Sequence, residues 1–352
     1  IVFNIDSGIS AMILSQDSNT QLTLSADVFN GTTEKYLIYT KRAFLVTYID
    51  GSNYVVARAF NIETGAALDT AFNVCTDGTN SKPVAVSDGA GNAIIFYEKS
   101  SNIYVKKVSA KGEFLWASPA DTAAAAGITV LSGYTIVQAL PDGVTNSTGG
   151  AYLLAKNTAG TAFRLVHVPG GTGIPAIINT VSPGYDPQMT VDTVSGETYN
   201  RVIIVYRNIN VIYYYIQARA YRNNAANWGP VNITSPLSYN CLQPSITVAN
   251  NTTGADDFYV AWFDGRYFNP SGYSIYSQRY NQAGAAQWGS AVFISTPTSM
   301  GYDYTLYMRL LYCYDNGTAP FGLLPIWLDY RNYSGTGTDI YYQRLDQAGA
   351  SY

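Results

Sequence analysis

Residues 257–289 and 321–349 carry the same pattern twice, and no other feature restricts the fold as tightly. The first copy runs Val260-Ala261-Trp262-Phe263-Asp264-Gly265-Arg266, then Ser274-Ile275-Tyr276-Ser277-Gln278-Arg279, then Asn281-Gln282-Ala283-Gly284. The second runs Ile326-Trp327-Leu328-Asp329-Tyr330-Arg331, then Asp339-Ile340-Tyr341-Tyr342-Gln343-Arg344, then Asp346-Gln347-Ala348-Gly349. Trp262 and Trp327, Ile275 and Ile340, and Gly284 and Gly349 are each 65 residues apart, so the copies align without a gap. A duplicated unit of this size cannot cover its own apolar faces and must stack on its copies.

Fainter copies precede these two. Asp50, Glu98, Asn157, Asn208, Asp264 and Asp329 each close a short apolar run: Phe44–Tyr48, Ala93–Phe96, Ala151–Leu154, Val202–Tyr206, Phe258–Phe263 and Leu323–Leu328. An acid or amide there accepts hydrogen bonds from the backbone beyond it and starts a turn. A second strand follows each mark, at Tyr54–Phe60, Ile103–Val108, Phe163–Val168, Val211–Tyr221, Tyr273–Tyr280 and Asp339–Leu345. Five of these carry a cation in register, namely Arg58, Lys107, Arg219, Arg279 and Arg344, and this regularity assigns them to the repeat itself. Trp116 and Trp288 stand 172 residues apart, as do Gly112 and Gly284, and Trp228-Gly229 recurs as Trp288-Gly289. Pro230–Thr234 and Ala291–Ser295 fit as fourth strands, and Gln188–Asp192 and Pro244–Val248 as first strands.

Four-stranded antiparallel units of about 50 residues stack radially as a β-propeller. The expectation is an all-β, six-bladed propeller spanning 1–352 as one domain, with seven blades as the alternative. Blades fall near 36–76, 82–131, 136–181, 187–235, 243–295 and 304–352, with 8–35 an insertion. The last copy stops before its fourth strand, and Ile1-Val2-Phe3-Asn4-Ile5 is similar to Val292-Phe293-Ile294-Ser295. Residues 1–7 are therefore expected to close the ring on the last blade, which would remove an open edge.

The set W-x-D-x-R, D-I-Y-x-Q-R, D-x-x-G and W-G resembles the blade repeat of secreted and cell-surface β-propeller proteins, sialidase-like in shape. It is clear in the last two units, weaker in the first, second and fourth, and reduced to a strand pattern over Ala151–Pro169. The resemblance implies an extracellular propeller used for binding or display and carries no catalytic residue across. The S-x-D-x-G-x-T-W boxes of a true sialidase are missing from the sequence.

Composition narrows the partners. Hydrophobic residues reach 47% while charged residues are only 12%, about half the usual share. The 31 Tyr and 31 Gly suit pleated surfaces and tight turns. A net charge of −4 without a Lys/Arg cluster argues against nucleic acid or an anionic membrane. No apolar run approaches the roughly 18 residues of a membrane span, so no membrane insertion is expected. The chain opens at Ile1, so a secretion leader is expected to have been removed or never included. Cys75, Cys241 and Cys313 are odd in number and widely spaced, which reads as buried small hydrophobes with at most one disulfide.

Candidate chemistry is sparse. His167 is the only histidine and sits on an alternating strand, satisfied by a neighbour, so Ser-His-Asp, Cys-His and zinc arrangements are set aside. Paired carboxylates about 5–10 Å apart could cleave a glycosidic bond. Asp50, Glu98, Asp264 and Asp329 recur on one ring, but a turn device is copied into successive units and a catalytic pair is not. Arg266 and Arg331 read first as ion-pair partners of the turn acids and second as recognition of an acidic ligand.

The loops that break the repeat are the expected binding surface. They present Arg266, Tyr267, Phe268 and Tyr273 in one unit and Arg331 and Tyr333 in the next. Tyr beside Asn, Ser and Gly suits adaptable recognition, of sugars included. Sequons at Asn30, Asn146, Asn232, Asn250, Asn251, Asn316 and Asn332 are candidate N-glycosylation sites. No cofactor is expected; calcium is the alternative at Asp-Gly turns such as Asp50-Gly51-Ser52-Asn53, without a D-x-D-x-D-G series to support it.

These observations lead to a secreted, non-enzymatic propeller that binds protein or glycan at the cell surface, or self-assembles there as a structural subunit. The alternative is a glycoside hydrolase or lyase acting on polysaccharide, with carboxylates and Tyr near the central channel. First-strand positions discriminate. Asp, Glu, Arg and Tyr gathered in a pocket favour the enzyme; a channel plugged by apolar and small residues favours binding.

Overall fold

The computed structural model describes residues 2–4, 10–11, 13–18, 21–24, 36–38, 43–61, 64–89, 91–109, 112–116, 127–143, 149–171, 174–192, 200–222, 224–236, 239–249, 257–266, 273–295, 308–315, 319–329 and 339–351. The chain is all-β, built of antiparallel sheets. No helix among the described residues is long and apolar enough to cross a membrane. Two compact units divide it, Ile1–Val46 with Ala57–Phe72, and Thr47–Val56 with Asn73–Tyr352.

In the first unit, β1 (Val2–Asn4), β2 (Ser10–Ala11) and β5 (Tyr36–Ile38) form one sheet in the order β2-β1-β5, and β3 (Ile13–Ser18) and β4 (Gln21–Leu24) form a hairpin. This corrects the expected closure. Val2 pairs with Ala11 on one side and Ile38 on the other, so both hydrogen-bonding edges of β1 are taken and none is left for the last sheet. The strands β6 (Ala43–Ile49), β7 (Val55–Asn61) and β8 (Phe72–Cys75) form a three-stranded sheet.

Four meanders of four strands follow in the second unit. They are β9 (Asn80–Ser87), β10 (Asn92–Lys99), β11 (Asn102–Ser109) and β12 (Ile128–Ser132); β13 (Tyr134–Pro141), β14 (Ala151–Asn157), β15 (Phe163–Val168) and β16 (Ala176–Val181). Next come β17 (Tyr185–Asp192), β18 (Arg201–Asn210), β19 (Tyr213–Arg222) and β20 (Ala225–Asn232); then β21 (Cys241–Val248), β22 (Phe258–Asp264), β23 (Ser274–Tyr280) and β24 (Val292–Ser295). A three-stranded sheet of β25 (Met308–Asp315), β26 (Ala319–Asp329) and β27 (Asp339–Tyr342) ends the chain.

Why the second strand of each meander is apolar without alternation is plain from its burial. Every residue of β22 is buried, as are Ala151–Ala155 of β14 and Arg201–Tyr206 of β18. A strand covered on both faces has no solvent side to leave polar. Successive side chains then enter opposite seams. Leu153 joins the core shared with Phe96 and Ile103, whereas Leu154 joins the one shared with Ile204 and Tyr206. Val260 and Trp262 pack with Ile203 and Val205, while Tyr259 and Phe263 pack with Leu310 and Trp327. Each such burial contributes about 1.5–3 kcal/mol, so cohesion lies between sheets.

The repeated tryptophan serves those seams, joined by the in-register cation Lys107 or Arg279 in two of them and by Arg201 of β18 in the third, where the in-register Arg219 instead donates to the Tyr206 hydroxyl at 3.0 Å. The indole N–H of Trp116 donates to the Gly170 carbonyl at 2.8 Å, that of Trp228 to Gln282 at 2.7 Å, and that of Trp288 to Gln347 at 2.9 Å. The same three carbonyls accept from Lys107 at 3.2 Å, Arg201 at 2.7 Å and Arg279 at 3.3 Å. Each cation is ion-paired in turn, with Asp88, Asp192 and Asp257 respectively. Two of the accepting carbonyls lie in Asx turns, where Asn281 Oδ1 accepts from the Ala283 and Ala285 amides and Asp346 Oδ1 from the Ala350 amide. Gly284 and Gly349 hold φ of 78° and 89° there, a conformation that glycine adopts without a Cβ penalty. The seam between the β13 and β17 sheets uses His167 instead. Its Nε2 lies 3.2 Å from Asp142 Oδ2, and its Nδ1 lies 3.2 Å from the side-chain amide of Asn224.

Candidate functional site

The turn acids behave as turn acids at several positions. Asp50 Oδ1 accepts from the Ser52 and Tyr54 amides, both at 2.9 Å, and Asn157 Oδ1 from those of Thr161 at 2.9 Å and Ala162 at 3.1 Å. Glu98 departs from the pattern. Its Oε1 accepts from the Ile136 amide at 2.7 Å in the following sheet, and from Lys82 at 3.3 Å and the Thr135 hydroxyl. Among the described residues no three His, Cys, Asp or Glu side chains gather in a way that could hold a metal ion.

The guanidinium of Arg266, a residue of the expected rim, is turned onto its own sheet. Its Nε and Nη2 donate to Asp264 Oδ1 and Oδ2 at 2.9 and 2.8 Å, and its Cζ lies 4.1 Å from the Tyr276 centroid and 5.1 Å from that of Tyr239. Those hydrogen bonds raise the Arg266 pKa further above its already basic value. Asp264 is fully buried and also accepts from Trp262 Nε1 at 2.9 Å. Tyr273 packs at the edge of the core formed with β26. Asn232 is exposed, and its side-chain oxygen accepts from Gln217 at 3.0 Å. Tyr267, Phe268, Arg331, Tyr333 and the sequons at Asn30, Asn146, Asn250, Asn251, Asn316 and Asn332 lie outside the described residues.

Polar chemistry gathers instead at the first strands. In succession β13 packs beside β17, β17 beside β21 and β21 beside β25. Each breaks register against its second strand, between Ile136 and Gln138, Tyr185 and Gln188, Leu242 and Ser245, and Cys313 and Tyr314. A bulge of this kind re-aims the side chains around it. At two of these bulges, and at the corresponding one of β9, the residue ahead of a proline is left-handed: Asp186 with φ 46°, Gln243 with φ 43° and Lys82 with φ 45°. Such backbone costs on the order of 1–3 kcal/mol per non-glycine residue and concentrates at ligand sites.

Asp186 and Gln243 line a cleft of about 260 Å³ together with Val137, Lys156, Pro187, Gln188, Pro244, Met308 and Arg309. Arg309 Nη1 donates to Gln188 Oε1 at 2.8 Å and so joins β25 to β17. Asp186 is ion-paired with Arg207 at 2.9 Å, and Arg207 is held over the rings of Tyr214 at 4.3 Å and Tyr185 at 5.1 Å. The Asp186 side chain keeps 40% of its surface while Arg207 keeps 19%, so the carboxylate is supported from behind and open in front. The pairs Lys82-Pro83, Asp186-Pro187 and Gln243-Pro244 were the available signal for this site, since proline inside a strand marks an edge or a bulge.

No protein-family model matches the sequence, and no curated protein matches it. Among solved structures, the chain is similar to an α-L-arabinanase of Penicillium chrysogenum complexed with arabinobiose, at 12% identity and a TM-score of 0.38, covering 86% of this chain and 77% of that one. It is similar to a thermostable family-43 glycoside hydrolase at 10% identity and a TM-score of 0.37, covering 76% and 91%. Prolyl oligopeptidase B of Galerina marginata also matches, at 12% identity and a TM-score of 0.38, covering 81% and 36%. At these values the likeness is one of strand arrangement and transfers no residue. The expected non-enzymatic module is nevertheless corrected. The first strands present charged and amide side chains in a cleft where the binding reading required an apolar plug.

Proposed function

We propose that the chain is a carbohydrate-active enzyme that cleaves polysaccharide at the cleft between β13, β17, β21 and β25. The observation that carries this reading is the left-handed bulge at Asp186, which spends backbone strain to set a supported carboxylate at an open cleft. Glycosidic cleavage requires a positioned proton donor or acceptor. Asp186 is the carboxylate among the lining residues, and the Arg207–tyrosine stack fixes its place. Gln188 and Gln243 offer amide donors and acceptors for sugar hydroxyls, and Met308 with the two prolines offers an apolar floor for a ring face. Six blades and an extracellular setting belong to the same reading, supported by the six recurring sheets from β6 to β27 and the low-charge, Tyr-rich composition.

Incubation of the purified chain with a panel of neutral and acidic polysaccharides, followed by a reducing-end assay, tests the proposal. Release of new ends from at least one polymer is the expected result. A folded protein that releases none from any and binds none of the corresponding oligosaccharides overturns it.

A further inference from the structure

We infer that the cleft selects an acidic glycan, a sugar chain bearing carboxylates; this rests on the reading of the cleft as a glycan site. The argument is one of charge balance. The chain has 20 Lys and Arg against 24 Asp and Glu, and the cations that serve its seams and turns are matched. Lys107 pairs with Asp88, Arg201 with Asp192, Arg266 with Asp264 and Arg279 with Asp257. At the cleft this matching stops. The one lining carboxylate, Asp186, is already neutralised by Arg207. Lys156 has no acidic partner among the described residues, and Arg309 is bonded to Gln188, a neutral amide. Two positive charges therefore stand on the wall without a counter-charge among the described residues.

A ligand carboxylate supplies what is missing. The planar guanidinium of Arg309 matches a planar carboxylate in a two-bond fork, and Lys156 acts as a point charge that tolerates several placements. Gln188 and Gln243 remain for the hydroxyls of the same ring. Two cations are too few to follow a nucleic-acid backbone, in keeping with the negative net charge. A sulfate ester shares the charge but lacks the planar fork, so the carboxylate is the committed choice.

The test compares the wild-type chain with Lys156→Gln and Arg309→Gln by calorimetric titration. Probes are an oligogalacturonate, its methyl ester of the same length, and a sulfated neutral oligosaccharide. The oligogalacturonate should bind about 10-fold tighter than the methyl ester, and each substitution should cost about 5- to 10-fold for the acid alone, as charge-assisted hydrogen bonds do. Both side chains are exposed, so folding survives, and matched melting temperatures confirm it. Equal binding of acid and ester, or tighter binding of the sulfated probe, overturns the carboxylate assignment. Binding of the methyl ester alone, or of no probe, would end the acidic selection and leave the glycan-cleaving reading standing, since that reading is decided by the reducing-end assay.

Discussion

Trp288 donates its indole N–H to the backbone carbonyl of Gln347 in the next sheet, at 2.9 Å, and Arg279 reaches the same oxygen at 3.3 Å. The arrangement repeats at Trp228 with Gln282 and Trp116 with Gly170, so one side-chain device joins three pairs of sheets. In each case the accepting carbonyl follows the third strand of the next sheet: Gly170 after β15, Gln282 after β23 and Gln347 after β27.

Replacing Trp288 with Phe keeps most of the ring and removes the donor. The expected loss is about 1–2 kcal/mol, the worth of a hydrogen bond in a half-buried seam, read as a lower midpoint in urea at unchanged slope. A variant as stable as wild type would show that Arg279 alone holds the seam.

Asp264 is fully buried and takes two bonds from the Arg266 guanidinium and one from Trp262. Asp264→Ala strands that cation and the indole together, and breaking a buried pair by removing one partner costs about 3–5 kcal/mol. Arg266→Ala should cost less, since its side chain is 29% exposed. A double-mutant cycle measures the coupling; a coupling energy near zero contradicts the assignment of Arg266 to the fold.

Burial, with Asp264 nearby, pushes the Cys241 thiol up to about 12 from 9.0, and burial, with Asp142 nearby, pushes Tyr152 up to about 12 from 10.0. Both groups keep their protons longer when folded than when unfolded. Their contribution is complete below the unfolded values and is lost as pH rises from about 9 to about 12, where the unfolded chain binds fewer protons than the folded one. Cys241→Ala should flatten the fall in stability over that window, and native Cys241 should resist alkylation at pH 8 to 9. Rapid labelling of folded protein would contradict the burial.

The seam held by His167 has no tryptophan, and its reach to Asn224 is through a side-chain amide. Fewer donors on one acceptor predict faster local opening. Hydrogen exchange across β16 and the β19–β20 turn should exceed that of the equivalent strands next to Trp288. Uniform protection would show that apolar packing alone sets the opening energy.

How much of this was legible in the sequence depends on which force fixed each element. The second strands were readable because burial on both faces leaves an uninterrupted apolar run, as in Phe258–Phe263. The turn glycines were readable because positive φ at Gly284 and Gly349 admits little else. First strands were read short, beginning at Gln188 and Pro244, because a bulge interrupts the alternation that marks a strand. That same interruption hid Asp186 and Gln243, although the proline after each was in plain view. The partner of Val2–Asn4 was not legible, since an alternating apolar triplet announces a strand and is silent about which edge it joins. The role of Arg266 was legible too, since its place two residues beyond the turn acid reads first as an ion pair with that acid, and its guanidinium does pair with Asp264.

The most direct test of the account is the activity of Asp186→Asn. Asparagine tolerates the left-handed backbone at this position and preserves shape while removing the carboxylate. With a polysaccharide that the wild type cleaves, the variant should lose about 10²- to 10⁴-fold in kcat, as removal of a general acid or base does, while binding oligosaccharide within a few-fold of wild type. A variant that releases reducing ends at the wild-type rate would place the chemistry elsewhere in the chain.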